Sequence, residues 1–428
     1  VWTRCGPCRW SKVVDPGGGS GIVQAKDKKV LYFNDRRLRP TTTSGNVMTM
    51  KRRDFVRIMP LGALVASEYL TDPTLMHGAS PGAAPQRPSK QEPLGQERTR
   101  ELYRDALVID ALVTTRGWND ESWRIATEAG YTGLGTSLSS GSMEAALRDL
   151  EAWNQRIESA PDQYVRADSA EDFARAHATG RLAVLLGFQD TTMIGDSIQN
   201  LDELYRAGTR WIQLTYNARN LIGDGCTERT NAGLSDLGIE VVERMNDLGM
   251  IVDLSHCGHQ TTLDGILFSD PGPCFTHTTC EALYPSHPRS KTDEEIRAMA
   301  EKGGVMGVVA LGYLVGPDPG GETTIDTFVD HIDHVVNIAG IDHVGVASDF
   351  VIQGISSSAT REDWYEPRLE SFKPSYQVRW PPWIPELDSP ERYRTVAEIL
   401  DRRGYSSGDI EKVLGLNWLR YYRQVLKP

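Results

Sequence analysis

The 428-residue chain carries a formal net charge of −12, with 39% hydrophobic residues, 40 Gly, 23 Pro and six Cys. The length suits one large barrel or two ordinary domains. Residues 1–49 hold nine Lys/Arg against three Asp/Glu, which leaves −18 over the rest and argues against a nucleic-acid partner for the folded body.

Residues 1–49 are basic and Gly-rich, with one short apolar patch at Val30-Leu-Tyr-Phe, and read as a disordered or non-native extension. Cys5 and Cys8 form a lone Cys-x-x-Cys without the second pair that a zinc ribbon needs. The run Thr49-Met-Lys-Arg52-Arg53-Asp-Phe55, followed by the apolar stretch Ile58–Ala66, has the order of a twin-arginine export signal. Residues 50–70 are assigned to that signal, with Met50 as the start, and the expected location is periplasmic or otherwise exported. Residues 71–97, rich in Pro, Gly, Ala and Gln, read as a linker, and folding is expected to begin near Gln96. No apolar run approaches the ~18 residues that span a bilayer as a helix.

From residue 98 to 428 apolar runs alternate with helical patterns. Seven runs read as strands buried on both faces: Leu107–Leu112, Leu182–Phe188, Trp211–Tyr216, Met250–Leu254, Cys274–Thr276, Gly304–Leu311 and His343–Asp349. Ile239, Val242, Met245 and Leu248 line one helical face before Gly249. Phe328, Ile332, Val335 and Ala339 line another before Gly340. Such alternation predicts an α/β fold, a single (β/α)8 TIM-type barrel. No Gly-rich phosphate loop follows the first strand, as a doubly wound sheet would require. An eighth strand is not legible. Residues 351–390, with three Trp, read as a long insertion over the barrel mouth.

Barrel active sites lie at the carboxyl ends of the strands, so those ends supply the candidates. The apolar runs at Met250 and Cys274 each lead to a histidine, His256 and His277, 21 residues apart and so one βα unit apart. Neutral imidazoles paired on neighbouring strand ends suit a metal such as zinc, although buried hydrogen-bonded histidines are about as common there. Asp349 ends the last run and is either a general acid/base beside metal-bound water or a helix N-cap. Gln189 and Tyr216 end two further runs. Arg289 is either a bidentate clamp for a substrate carboxylate or a surface arginine. His259, His331, His334 and His343 read as structural. Cys226, Cys257, Cys274 and Cys280 are able to pair only in an oxidising compartment.

Taken together, Gly233-Leu-Ser-Asp-Leu-Gly, Val252-Asp-Leu-Ser-His256, Phe275-Thr-His277, Ser286-His-Pro-Arg289, Asp342-His-Val-Gly-Val-Ala-Ser-Asp349-Phe and Leu414-Gly-Leu-Asn-Trp-Leu-Arg420 resemble the membrane (renal) dipeptidase family from about residue 100 to 425. The resemblance implies a (β/α)8 barrel, dipeptide hydrolysis at a two-zinc site and, by analogy with typical members, a homodimer. It places His256 and His277 as ligands of one zinc, Arg289 on the dipeptide carboxylate and Asp349 on the proton moved during cleavage.

The remaining family ligands are replaced. The first strand reads Val108-Ile-Asp110-Ala111, then Leu112 and Thr114 where a His-x-Asp pair is typical. The bridging carboxylate falls at Gln189 and a substrate-facing histidine at Tyr216, whose phenol is still able to donate to an oxyanion. Two zinc ions bring about four positive charges, and this rim lacks the carboxylates to balance them. At most one zinc is therefore expected, on His256 and His277 with Gln189 or Asp349, and an empty site is the alternative. The expected activity is hydrolysis of a dipeptide or similar small amide with a free carboxylate. The alternatives are changed chemistry on the same scaffold, such as maturation of a peptide-derived metabolite, and a non-catalytic binding protein.

Overall fold

The computed structural model describes residues 91–316 and 322–427, together with short strands between residues 2 and 39. The chain divides into two compact units, 1–83 and 84–428. In the first, Trp2–Cys5 pairs antiparallel with Arg9–Lys12, and Ser20–Gln24, Val30–Asn34 and Leu38–Arg39 form an antiparallel ladder. The rest of the expected extension, the expected signal at 50–70 and the expected linker up to residue 90 lie outside the described residues.

In the second unit the first helix runs from Gln96 to Asp105, where folding is expected to begin. The strands that follow are β1 (Ile109–Val113), β2 (Gly133–Thr136), β3 (Tyr164–Arg166), β4 (Leu182–Leu185), β5 (Gly187–Phe188), β6 (Trp211–Gln213), β7 (Ile251–Asp253), β8 (Phe275–Thr278), β9 (Met306–Val309) and β10 (Val344–Ala347). All are parallel where they pair. β1 pairs β2, and β2 pairs β4. β5 pairs β6, and β6 pairs β7. β8 pairs β9, and β9 pairs β10. Single bridges, Leu138 to Phe188 and Asp253 to Cys274, join these groups. The ring closes where the Asp349 N–H donates to Leu112 O (2.9 Å) and the Thr114 N–H to Phe350 O (3.3 Å). β4 and β5 are two halves of one stave, interrupted at Leu186, so the ring has eight staves. β3 is an additional strand paired along β4.

The stave illegible in the sequence is β2, Gly133-Leu-Gly-Thr136. Two of its four residues lack side chains because neighbours occupy that space. A Cβ on Gly135 would lie 2.3 Å from Ala111 O, and one on Gly133 would lie 2.5 Å from the Phe173 ring. Close approach of backbones has replaced the apolar signature by which a buried strand is usually read.

Both helices stop at the expected glycines, Gly249 and Gly340. Asp236–Leu248 is capped by the Ser235 hydroxyl and ends at Gly249 with φ +73°. It buries Val241, Val242 and Met245 against the barrel. Ile325–Ala339 is capped by Thr324 and buries Phe328, Ile332 and Val335. Among the described residues no helix is long and apolar enough to cross a membrane. Cys226, Cys257, Cys274 and Cys280 are all unpaired thiols. The insertion at 351–390 includes the helix Glu366–Ser371 and a cluster of aromatic rings, among them Trp364, Trp380 and Trp383.

Candidate active site

The carboxyl ends of the staves gather Thr114, Ser137, Gln189, Tyr216, Asn217, His256, His277, Tyr313 and Asp349 at one rim. The local chain path around the histidines is set by Asp253, a buried carboxylate at the end of β7. Its Oδ1 accepts from the Ser255 N–H (3.0 Å), the Ser255 hydroxyl (2.6 Å) and the Thr276 N–H (3.0 Å), and its Oδ2 accepts from the Thr276 hydroxyl (2.6 Å). One side chain thus ties the end of β7 to β8 and fixes the two segments that carry the histidines. Burial pushes the Asp253 carboxyl up, and these bonds oppose that shift.

The two imidazoles meet through Nε2, 2.9 Å apart. The partners of their other nitrogens bear on the proton positions. His256 Nδ1 lies 2.7 Å from Asn217 Oδ1, an acceptor, so Nδ1 carries the hydrogen. His277 Nδ1 lies 2.8 Å from Thr276 Oγ1, whose own hydrogen goes to Asp253, so this Nδ1 also donates. With both Nδ1 atoms donating, the two Nε2 lone pairs face each other. That contact is repulsive unless a cation, a proton or a metal ion, lies between them. Burial, and then the Arg289 charge, hold both imidazoles well below the usual histidine range, which keeps them neutral and suited to ligation. Outer partners of this kind orient metal-binding histidines.

Asp349 follows β10, with one carboxylate oxygen 4.0 Å from His277 Nε2. It adopts φ +60°, a left-handed conformation that Asp and Asn tolerate better than most L residues. Burial raises its carboxyl to about 7, against the opposing pull of the Arg289 and Arg368 guanidinium groups. Tyr216 stacks on His256 with ring centroids 4.2 Å apart and planes at 20°. Burial, and then Asp349, push its phenol up, so it stays a hydrogen-bond donor at neutral pH.

Above these groups lies a cavity of about 810 Å³, lined by Gln189, Tyr216, Tyr313, Asp349, Trp364 and Arg368 among others. Gln189 donates through Nε2 to Ser137 Oγ (2.8 Å), while its buried Oε1 has no partner among the described residues. His256, His277 and Arg289 do not line the cavity and are 1%, 0% and 1% exposed. Tyr216 both lines the cavity and covers His256. Arg289 is a strut between strands: Nη1 donates to Ser255 O, Nη2 to His277 O (2.8 Å) and Nε to the Tyr376 hydroxyl (3.2 Å).

The residues fit one cation and do not fit two. The two histidine Nε2 atoms are the candidate ligands of a single ion, with an Asp349 oxygen 4.0 Å from His277 Nε2. At the positions where the resemblance places the ligands of a second metal, the Leu112 side chain offers no donor and Thr114 no charge. Among the described residues no group of three or more His, Cys, Asp and Glu side chains converges at metal-binding range.

Asn217, Asp253, Thr276, Tyr376 and Arg368 also build the site, in roles that no local sequence pattern marks. Asn217 and Asp253 were visible at strand ends, but their partners are set by packing. Tyr376 and Arg368 come from the insertion, where no periodicity locates a side chain.

The sequence profile of the membrane dipeptidase family (peptidase family M19) matches residues 104–363. Dipeptidase tcpJ of Claviceps purpurea is 27% identical over 307 residues, 71% of this chain and 65% of that protein. Dipeptidase verJ of Clonostachys rogersoniana is 28% identical over 281 residues, 65% of this chain and 64% of that protein. The match thus spans a little under two thirds of the length of these curated relatives. Among solved structures, an amidohydrolase from Pseudomonas aeruginosa is 29% identical with a TM-score of 0.68, covering 77% of this chain and 99% of that one. The parallel eight-stave ring and the profile match agree, and the chain belongs to the membrane dipeptidase family.

Proposed function

We propose that this chain is a hydrolase of a dipeptide, or a similar small amide with a free carboxylate, and that it works with at most one metal ion. The observation that carries the reading is the pair of imidazoles that meet through Nε2, 2.9 Å apart, beneath Tyr216 and beside the cavity-lining Asp349. His256 and His277 would hold the ion, which when bound supplies a water of lowered pKa and a Lewis acid.

The rest of the work falls to the chain's own groups. Asp349 takes a proton from the attacking water and returns it to the leaving amine, a role open to a carboxyl that reaches both the histidine pair and the cavity. The Tyr216 hydroxyl, protonated at neutral pH, donates to the substrate carbonyl oxygen as charge builds there. The unpartnered Gln189 Oε1 offers an acceptor for the substrate's amino group. Arg289 holds the backbone of Ser255 and His277 and so keeps the two imidazoles in register.

The test joins metal analysis of the purified chain to hydrolysis of a dipeptide panel with and without added zinc. The expected result is no more than one ion per chain, zinc-stimulated hydrolysis, and loss of both in His256→Ala. Two tightly held ions would overturn the one-ion reading. Absence of hydrolysis with zinc bound would overturn the activity.

A further inference from the structure

The geometry points to Arg368, in the insertion, as the residue that binds the substrate carboxylate in this chain, in place of Arg289. The inference rests on the small-amide reading above.

Arg289 is occupied. Each of its three guanidinium nitrogens donates to a protein acceptor, it is 1% exposed, and it does not line the cavity. The cover over it comes from the insertion itself, since Tyr376 takes Nε and packs against Phe372 with ring centroids 4.8 Å apart. A carboxylate could reach Arg289 only by displacing Tyr376 or separating the guanidinium from two carbonyls.

Arg368 has the opposite character. It lies on the helix Glu366–Ser371 and lines the cavity together with Asp349 and Tyr216. Its guanidinium stacks 3.8 Å over the Trp364 ring, and Nη1 donates to Trp364 O (2.7 Å). These contacts hold the planar group in place before a ligand arrives. Among the described residues no carboxylate pairs with it, and its Nε and Nη2 have no acceptor. A planar, pre-oriented fork with free donors is what bidentate carboxylate recognition needs.

Other charged groups line the same cavity. Asp149 and Asp363 are acidic, with Asp149 Oδ2 accepting from the Ser139 N–H (3.0 Å) and Asp363 Oδ2 from the Thr360 hydroxyl (3.1 Å). Arg116 is exposed and has no stacking ring among the described residues, so it lacks the fixed orientation of Arg368. The expected ligand is a dipeptide-sized acid whose carboxylate points at the insertion and whose amide lies over Asp349. The rings of Trp364, Tyr313 and Phe372 beside it favour an apolar or aromatic residue at the carboxylate end.

The test is calorimetric titration of the full chain with a non-hydrolysable Leu-Phe isostere, its amide reduced to CH2–NH, and with the C-terminal carboxamide of the same compound. The parent should bind the acid roughly 10- to 100-fold more tightly than the carboxamide. Arg368→Gln should erase that preference by weakening the acid alone. Arg368→Lys should restore part of it, and Arg116→Gln should leave it within about threefold of the parent. Circular dichroism and urea midpoints should be unchanged in all three variants. The proposal is overturned if Arg368→Gln retains the preference, if it weakens both compounds equally, or if the parent binds neither or does not distinguish them. An intact, Arg368-dependent preference without dipeptide turnover would support the carboxylate site and count against the hydrolase reading alone.

Discussion

Replacing Arg289 by Met separates a structural strut from a substrate clamp. Met matches the length of the aliphatic stem and removes every donor. Ser255 O and His277 O lose their guanidinium hydrogens in a region closed to water, while the Tyr376 hydroxyl is able to turn elsewhere. A buried acceptor left unpaired costs about 1–3 kcal/mol, so the two carbonyls together cost roughly 2–6 kcal/mol. Relief of burying a guanidinium offsets part of this, and a net loss of about 3 kcal/mol is expected. That is a large fraction of the ~5–15 kcal/mol that holds a typical domain together. The assay is urea unfolding followed by circular dichroism, with chelator in every sample so that metal binding does not contribute to the difference. The midpoint should fall with little change in slope. A variant within about 0.5 kcal/mol of the parent that had lost only its affinity for acids would refute the reasoning and return the clamp to Arg289.

Gly135→Ala places a methyl group 2.3 Å from Ala111 O, against backbone of the neighbouring stave, and should destabilise by about 2 kcal/mol or more in the same unfolding assay. Asp349→Asn keeps a residue that tolerates φ +60° while removing the proton carrier, so kcat should fall roughly 100-fold or more with the unfolding midpoint unchanged. Asp224, buried and bonded to Arg219, Thr230 and the Ala232 N–H, has a carboxyl held down to about 2, first by the Arg219 hydrogen bond. Its folded value lies below the ~3.9 of an unfolded Asp, so its contribution is present above pH ~4 and fades as pH falls toward 2. Arg219 is half-exposed, which discounts the full shift, so Asp224→Asn should cost about 1–2 kcal/mol at pH 7. The gap to the parent should narrow as unfolding is measured from pH 5 down to pH 3. Replacing Arg52-Arg53 by Lys-Lys should retain the protein in the cytoplasm on cell fractionation if the export signal operates.

Much of this architecture is readable from local pattern. Seven of eight staves announce themselves as apolar runs because strands buried on both faces must be apolar throughout. Helix ends at Gly249 and Gly340 follow from capping chemistry that acts over three or four residues. The eighth stave escapes because its defining feature is missing bulk: Gly133 and Gly135 are selected by Phe173 and Ala111, which are distant in sequence. Pattern reading registers side chains that are present, and it has no term for space that a neighbour requires.

The candidate site divides along the same line. By itself the sequence determined that His256, His277, Gln189, Tyr216 and Asp349 share one rim, since strand-end position alone places them there. Through the family resemblance it also gave the expectation that a two-metal set is incomplete, at Leu112, Thr114 and Gln189. Only the tertiary structure decided which groups reach the cavity. Proton positions on the two imidazoles depend on Asn217, Thr276 and Asp253, whose hydrogen bonds cross between staves. The fate of Arg289 depends on Tyr376, 87 residues later, which covers it from the insertion, while Arg368 is brought to the cavity wall. Residue type sets what a side chain is able to do. Long-range packing sets which partners it has already found, and so which of its groups remain free for a ligand.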